Sequence, residues 1–325
     1  MPHRRTVTLA AAALLGAVLL SAAPTATAAE RTPICRAPNN PALAKQLTRD
    51  LRAALAKRSG TVSLALYDDR TRASCVLGEG IRYDSASIVK VLIMEATLRR
   101  AEAWGRPLTG WERRNIRPMI HSSDNMAASR LWNDVGQPSL AATLNRAGTT
   151  RTSLGPYGYW GLTRTTAADQ LRLLGALTNP HSFLKSRSYA LKLMGEVRKD
   201  QRWGVTAGMP RGLRAHLKNG WLPRATHGWR IHSIGVFTGS GRTYRLAVLS
   251  HDNPSMSYGV RTVERVAQAV HRGLNKGRAI ARGFTPADEI SGRSDGSVPP
   301  RAPELPDPYD LVGPDGDAAA FPVVP

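Results

Sequence analysis

Acidic side chains are scarce in this chain of 325 residues: 24 Asp and Glu stand against 45 Lys and Arg, a formal net charge of +21. From Val135 to Ala168 there is no carboxylate at all. Cysteine is nearly absent, with 2 residues. That excludes a disulfide-rich scaffold and a cysteine-ligated metal centre. The 8 histidines show no ligand spacing, so no metal and no organic cofactor is expected. Long apolar runs are missing too. The one candidate, Val7 to Leu20, has 14 residues and is too short to span a bilayer comfortably.

That run has the pattern of an export signal: Arg4 and Arg5 before it, small residues Ala26-Thr27-Ala28 after it. Cleavage is expected near Ala28, leaving 1–28 as the signal segment. The arginine pair leaves a twin-arginine route open beside the ordinary one, and an uncleaved anchor is a third reading. The expected location is extracellular or cell-wall associated, with no transmembrane segment in the mature chain. Export into an oxidising compartment makes a Cys35–Cys75 disulfide the natural use of the two cysteines. Closing that 40-residue loop stabilises by roughly 3–4 kcal/mol in the chain-entropy model. The positive charge raises the question of nucleic acid. The arginines are scattered rather than gathered in one stripe, and export removes the chain from the chromosome. Anionic cell-wall polymers suit the basic surface better, and so does no partner at all. A monomer is expected.

Periodicity divides the chain into a helix over 40–57, strands over 61–67 and 73–77, and helical patterns over 85–104, 109–131, 139–146, 166–177 and 186–198. Three strands follow, over 216–222, 229–238 and 243–251, then an amphipathic helix over 260–274. No internal repeat is visible. Strands at both ends with helices between imply an α+β sandwich: a mostly antiparallel sheet built from both chain ends, with an inserted helical subdomain. The expected folded domain is 29–283. From 284 to 325 the composition turns to Pro, Gly and Asp, with eight acids against Arg293 and Arg301. This stretch is expected to be a disordered, solvated tail.

Three short motifs carry chemistry. In Ser87-Ile88-Val89-Lys90 a helical spacing of three sets an amine beside a hydroxyl, and a lysine stripped of solvent can activate a serine. Ser123-Asp124-Asn125 is, by itself, ordinary turn composition. Lys218-Asn219-Gly220 lies on an expected strand. Each alone is weak; the ordered set is the one that marks β-lactamases and penicillin-binding proteins.

On these motifs, on Thr163-Arg164-Thr165-Thr166-Ala167-Ala168-Asp169 and on the closing strands and helix, the chain from about Thr61 to Leu274 resembles the class A β-lactamase family of penicillin-binding serine hydrolases. The resemblance implies a β-lactamase/transpeptidase-like sandwich with its site in the cleft beside the helical subdomain. It makes Ser87 the acylated nucleophile, Lys90 its partner, Ser123 a proton relay and Lys218 the carboxylate attractor. Asn125 would hold the substrate amide, with Asn219, Gly220 and Trp221 along the binding strand. The backbone N–H groups of Ser87 and Trp221 would form the oxyanion pair. Asp124 is expected to be structural.

Three departures matter. The loop glutamate that clears the acyl-enzyme in this family has no counterpart in Leu154-Gly155-Pro156-Tyr157-Gly158-Tyr159-Trp160, and Asp169 reads as a helix-start residue after the Thr166 cap. Unless Tyr157 or Tyr159 substitutes, deacylation should lose about 10²–10⁴-fold. Ser87 and Ser123 are 36 residues apart, a short connector that implies a more open cleft. Asn219 and Trp221 replace the usual threonine and small residue, and Arg224 or Arg230 could assist carboxylate binding. The expected activity is a secreted serine hydrolase acylated at Ser87 by β-lactams or related amides, with slow deacylation. The alternatives are a D-alanyl-D-alanine peptidase acting on peptidoglycan-type substrates and a non-catalytic wall-binding protein.

Overall fold

The computed structural model of the chain describes Met1 and residues 34–281 and 292–298. The rest of the expected signal segment and most of the expected tail lie outside the described residues. By contact the chain divides into Met1–Thr32 and Pro33–Pro325, and the fold described here is that of the second unit.

It opens with β1 (Cys35–Arg36) and α1 (Pro41–Leu55). Asn40 caps α1 by accepting from the Leu43 N–H, and Pro41 pre-sets its first turn. Leu43, Leu47 and Leu51, four apart, form its buried stripe. β2 (Thr61–Asp68) and β3 (Ser74–Leu77) form the first hairpin, followed by the short β4 (Tyr83–Asp84). The helical insertion is α2 (Lys90–Ala103), α3 (Gly110–His121) and α4 (Asn125–Ala147), then β5 (Arg164–Thr165), α5 (Ala167–Thr178) and α6 (Arg187–Gly195). The chain ends in β6 (Arg214–Pro223), β7 (Trp229–Gly239), β8 (Arg242–Asn253) and α7 (Met256–Leu274).

The main sheet runs β1-β3-β2-β8-β7-β6, with every neighbouring pair antiparallel. The β2–β8 ladder, from Thr61↔His251 to Asp68↔Tyr244, joins the two ends of the chain, as the α+β expectation required. Neighbouring β8 side chains point to opposite faces. The Tyr244 hydroxyl pairs with His271 of α7, while Arg245 donates to Thr178 of α5. So α7 covers one face and α5 the other. Cys35 and Cys75 are register partners and form the expected disulfide, clipping β1 to β3.

Three differences from the periodicity have local causes. The helix expected from 85 begins as a 3-10 turn, Ala86–Val89, before α2. The pattern over 109–131 is two helices, because Ser123 adopts a left-handed φ of +57° and Asp124 starts α4 as its N-cap. Gly136, at φ +73°, interrupts α4 before Pro138. The strands β1, β4 and β5 are two residues each, too short for periodicity to register.

α2 is buried almost all round, from Lys90 to Leu98, so it runs through the helical subdomain rather than over it. At its centre Glu95 is fully buried, and neither carboxyl oxygen has a hydrogen-bond partner. Burial pushes its pKa far above the ordinary value of 4.5, so the native state keeps it protonated. An unsatisfied buried polar group costs about 1–3 kcal/mol, and Glu95→Met should recover part of this at pH 7. The sign of the pH effect is fixed. The unfolded carboxyl ionises above about 4.5 while the native one does not, so wild-type stability declines as pH rises. In urea titrations from pH 4 to 8 the stability gap between Glu95→Met and wild type should therefore widen with pH. A gap that stays constant would mean the native carboxyl is not held neutral.

Candidate active site

Three elements bring the motif residues together. The 3-10 turn carries Ser87, which has no exposed surface. Positions three apart eclipse in a 3-10 turn, and Lys90 Nζ lies 2.9 Å from Ser87 Oγ. The residue before the serine, Ala86, has a φ of +47°. The α3–α4 junction carries Ser123, itself left-handed at +57°. Such backbone states cost of order 1–3 kcal/mol for a non-glycine residue, and both flank this one site. The third element is β6, with Lys218 inside it. It approaches so closely that a Cβ on Gly220 would sit 2.7 Å from Ser87 N. Gly220 is there because no other side chain permits this contact.

Lys90 Nζ has four oxygen neighbours: Ser123 O at 2.7 Å, Asn125 Oδ1 at 2.7 Å, Ser87 Oγ at 2.9 Å and Ser123 Oγ at 3.0 Å. Two of these, the carbonyl and the amide oxygen, can only accept. A neutral amine has two N–H donors and one lone pair. Its donors are matched by those two oxygens, and the lone pair is left to the hydroxyls. Burial, and next the neighbouring Lys218, push the Lys90 pKa well below 10.5, against the opposing pull of Asp295 and Asp124. The geometry therefore suits an uncharged Lys90 able to take the Ser87 proton. Lys218 Nζ donates to Ser123 Oγ at 3.0 Å and to Asn219 O at 2.8 Å. Burial lowers its pKa to about 8, with Asp295 pulling upward. Ser123 Oγ thus bridges two amines.

Asn125 turns its Oδ1 to Lys90 and its Nδ2 outward. Asp124 accepts from the Ala127 N–H as a helix cap, the structural part expected of it. Asn219 differs from expectation. Its Nδ2 donates to Gln201 O and Trp203 O, so the side chain anchors the strand's flank instead of reaching toward a substrate. Arg224 and Arg230 both pair with the Asp84 carboxylate, joined by Arg164. Both are thus turned to a carboxylate inside the fold.

The N–H groups of Ser87 and Trp221 converge, and a carboxylate oxygen lies between them. Asp295 Oδ2 is 3.1 Å from Ser87 N and 3.2 Å from Trp221 N. Residues 292–298, expected to be solvated tail, lie in the cleft. Asn125 Nδ2 donates to Asp295 O, Asp295 N to Trp221 O, and the Trp221 indole to Arg293 O. Val298 packs with Ala86, Leu162 and Leu222. Sequence reasoning missed Asp295, and composition could not have found it, since a Pro/Gly/Asp stretch carries no periodic signal.

The loop before α5 offers no carboxylate to the site. Asp169 is fully buried at the start of α5 and accepts from the N–H groups of Thr150 and Arg151, from Thr152 Oγ1 and from Arg172. It ties down the loop, as its helix-start reading anticipated. Tyr157 points to solvent, and Tyr159 packs beside Val298. The loop residue that does reach the lysine is Trp160. Its ring lies 4.9 Å from Lys90 Nζ, and its indole donates to Ser129 Oγ. Elsewhere, the tertiary structure gathers His227, His251 and Asp252, which the sequence spacing did not group. Both imidazole Nδ1 atoms lie on the Asp252 carboxylate, at 3.0 and 2.5 Å.

Comparison with known proteins agrees with this fold. The model of the β-lactamase enzyme family matches residues 113–274. A protein of Mycobacterium tuberculosis and Mycobacterium bovis that bears the provisional name lipoprotein LppW is 27% identical over 205 residues, 60% of this chain. The chain spans 64% of the length of these curated relatives. Among solved structures, a class A β-lactamase of Bacteroides cellulosilyticus superposes with a TM-score of 0.62 at 14% identity, covering 74% of this chain and 99% of that one. The TLA-1 extended-spectrum β-lactamase gives 0.63 at 15% identity, over 71% and 99%. A PBP-A variant, solved as an acyl-enzyme complex with penicillin G, gives 0.60 at 18% identity, over 71% and 97%. At these identities the structures establish the fold. The chain therefore has the class A β-lactamase-like fold, and its residues 113–274 match the model of the β-lactamase enzyme family.

Proposed function

We propose that the protein is an exported serine acyl-transfer enzyme whose Ser87 attacks β-lactams or related amides, forming an acyl-enzyme that clears slowly. The observation that carries this reading is the hydrogen-bonded chain Ser87–Lys90–Ser123–Lys218, set beside two backbone N–H groups aimed at one point. Neutral Lys90 takes the Ser87 proton as Oγ attacks the carbonyl carbon. The Ser87 and Trp221 N–H groups stabilise the oxygen that becomes an oxyanion, an interaction that strengthens only in the transition state. The departing amide nitrogen takes a proton from Ser123 Oγ, which Lys90 restocks. Lys218, charged below about pH 8, attracts a substrate carboxylate. Asn125 offers its Nδ2 to a substrate carbonyl.

Slow clearance follows from what surrounds the ester. The Trp160 ring lies 4.9 Å from Lys90 Nζ, and Asp169 is committed to the backbone of 150–151. No loop carboxylate among the described residues is free to activate water. Export is supported by the leader-like N-terminus, the Cys35–Cys75 disulfide and the lipoprotein name of the mycobacterial relatives. Among the described residues no helix is long and apolar enough to cross a membrane. A peptidase acting on D-alanyl-D-alanine ends is the second reading. It is favoured by the peptide segment that the cleft accommodates between Trp221 and Asn125.

Two outcomes test the proposal. Intact-mass measurements with benzylpenicillin should show one adduct on the wild type and none on Ser87→Ala. The adduct should persist about 10²–10⁴-fold longer than that of an enzyme with a positioned general base. The absence of any adduct at millimolar drug over hours would count against acylation. The acylation rate should also be bell-shaped in pH. It rises as Lys90 loses its proton, well below 10.5, and falls above about 8 as Lys218 loses its charge. Stopped-flow labelling with a fluorescent penicillin measures both limbs. A rate that climbs steadily past pH 10 would remove Lys218 from the mechanism.

A further inference from the structure

We infer that residues 292–298 are a built-in inhibitor, a bent carboxylate-bearing strap that holds the cleft closed in cis until a competing peptide-like ligand displaces it. The inference rests on the proposed acyl-transfer reading only for what the strap inhibits. Its placement stands on the geometry alone.

β6 is the edge of the sheet, so its outer N–H and C=O groups are open to an added strand. The strap uses them. Asp295 N donates to Trp221 O at 3.0 Å while Trp221 N donates back to the Asp295 carboxylate at 3.2 Å. Across the cleft Asn125 Nδ2 reaches Asp295 O at 2.9 Å. Before this point the Trp221 indole holds the Arg293 carbonyl at 2.8 Å. Beyond it, Val298 enters an apolar pocket of Ala86, Leu162 and Leu222. The segment is shaped for the fit. Gly296 has a φ of +70°, and a Cβ there would lie 2.8 Å from Asn125 Nδ2. On the opposite wall, a Cβ on Gly161 would lie 2.4 Å from Ser297 O. Both close approaches require glycine.

The decisive contact is Asp295 Oδ2 on the N–H groups of Ser87 and Trp221. That is the position a reacting carbonyl oxygen would need, so strap and substrate exclude each other. The strap is not itself consumed. Acyl transfer from a carboxylate would have to expel oxide or hydroxide, so Asp295 fills the position without reacting. Any displacing ligand must meet the same specifications. It must present an oxygen to the two N–H groups, a backbone N–H to Trp221 O, a carbonyl to Asn125, and an apolar group at the Val298 pocket. This describes a peptide more closely than a compact bicyclic ring.

A tethered segment competes at an effective concentration in the millimolar range, so freeing the cleft should speed acylation on the order of tenfold or more. The test uses the full chain as wild type, Asp295→Ala and Val298→Asp, with two independent readouts. Limited trypsin digestion, followed by mass spectrometry, reports cleavage after Arg293. Fluorescent-penicillin labelling reports the rate at Ser87. In the wild type the Arg293–Ser294 bond should be protected, and both variants should lose that protection and label faster. A synthetic peptide of residues 292–298 should slow the labelling of Asp295→Ala again. If protection is lost in the variants but nothing labels, the strap stands and the acyl-transfer reading falls. Equal cleavage after Arg293 in all three chains would overturn the strap whatever the labelling shows. Lost protection with an unchanged labelling rate would overturn its inhibitory role.

Discussion

The site depends on one amine kept away from water. Lys90 Nζ is enclosed by Ser87, Ser123 and Asn125, with the Trp160 ring on another side. An ammonium there would have lost its hydration and would face a second buried amine on Lys218. A neutral amine is better matched, because its two donors have two obligate acceptors and its lone pair has a hydroxyl. The same burial that makes Lys90 costly as a cation makes it useful as a base. Much of the surrounding structure serves this exclusion: the interior helix α2, the left-handed turns at Ala86 and Ser123, and the glycine that lets β6 close on the serine.

The charge of the site is answered in two ways. The arginines behind it are gathered on one carboxylate, since Asp84 pairs with Arg164, Arg224 and Arg230 together. The lysines in front are answered by Asp295, which raises the proton affinity of both Lys90 and Lys218. The strap therefore does more than fill space. With its carboxylate present, Lys90 is drawn toward its protonated form, in which it could not serve as the proposed base. Blocking the oxyanion position and restraining the base are two consequences of one side chain.

Much of the fold was legible because its long elements have a local signature. The four-residue spacing of leucines in α1 registers as periodicity, whereas β7 and most of β8 are continuous buried runs marked by their length and flanking turn residues. The junctions were not legible. The break at Ser123 and the 3-10 turn at Ala86 are single backbone states imposed by packing, and no composition encodes them. Asn219 is the clearest case at the site. Its amide suits either a substrate or a carbonyl, and only the nearby Gln201 and Trp203 oxygens decide between them.

By itself the sequence determined the identity and order of the reactive groups, a serine three residues before a lysine, then Ser-Asp-Asn, then a lysine two before a glycine. It also determined the want of a carboxylate in the loop before α5. These are facts of residue type and spacing, and local geometry converts them directly into chemistry. Only the tertiary structure decided which polar atoms meet across the cleft, that Trp160 rather than a tyrosine walls the lysine, and that Asp295 lies on the oxyanion pair. Those contacts join residues as far as 208 positions apart. A contact of that range exists only once the sheet has closed, and so it leaves no trace in local pattern.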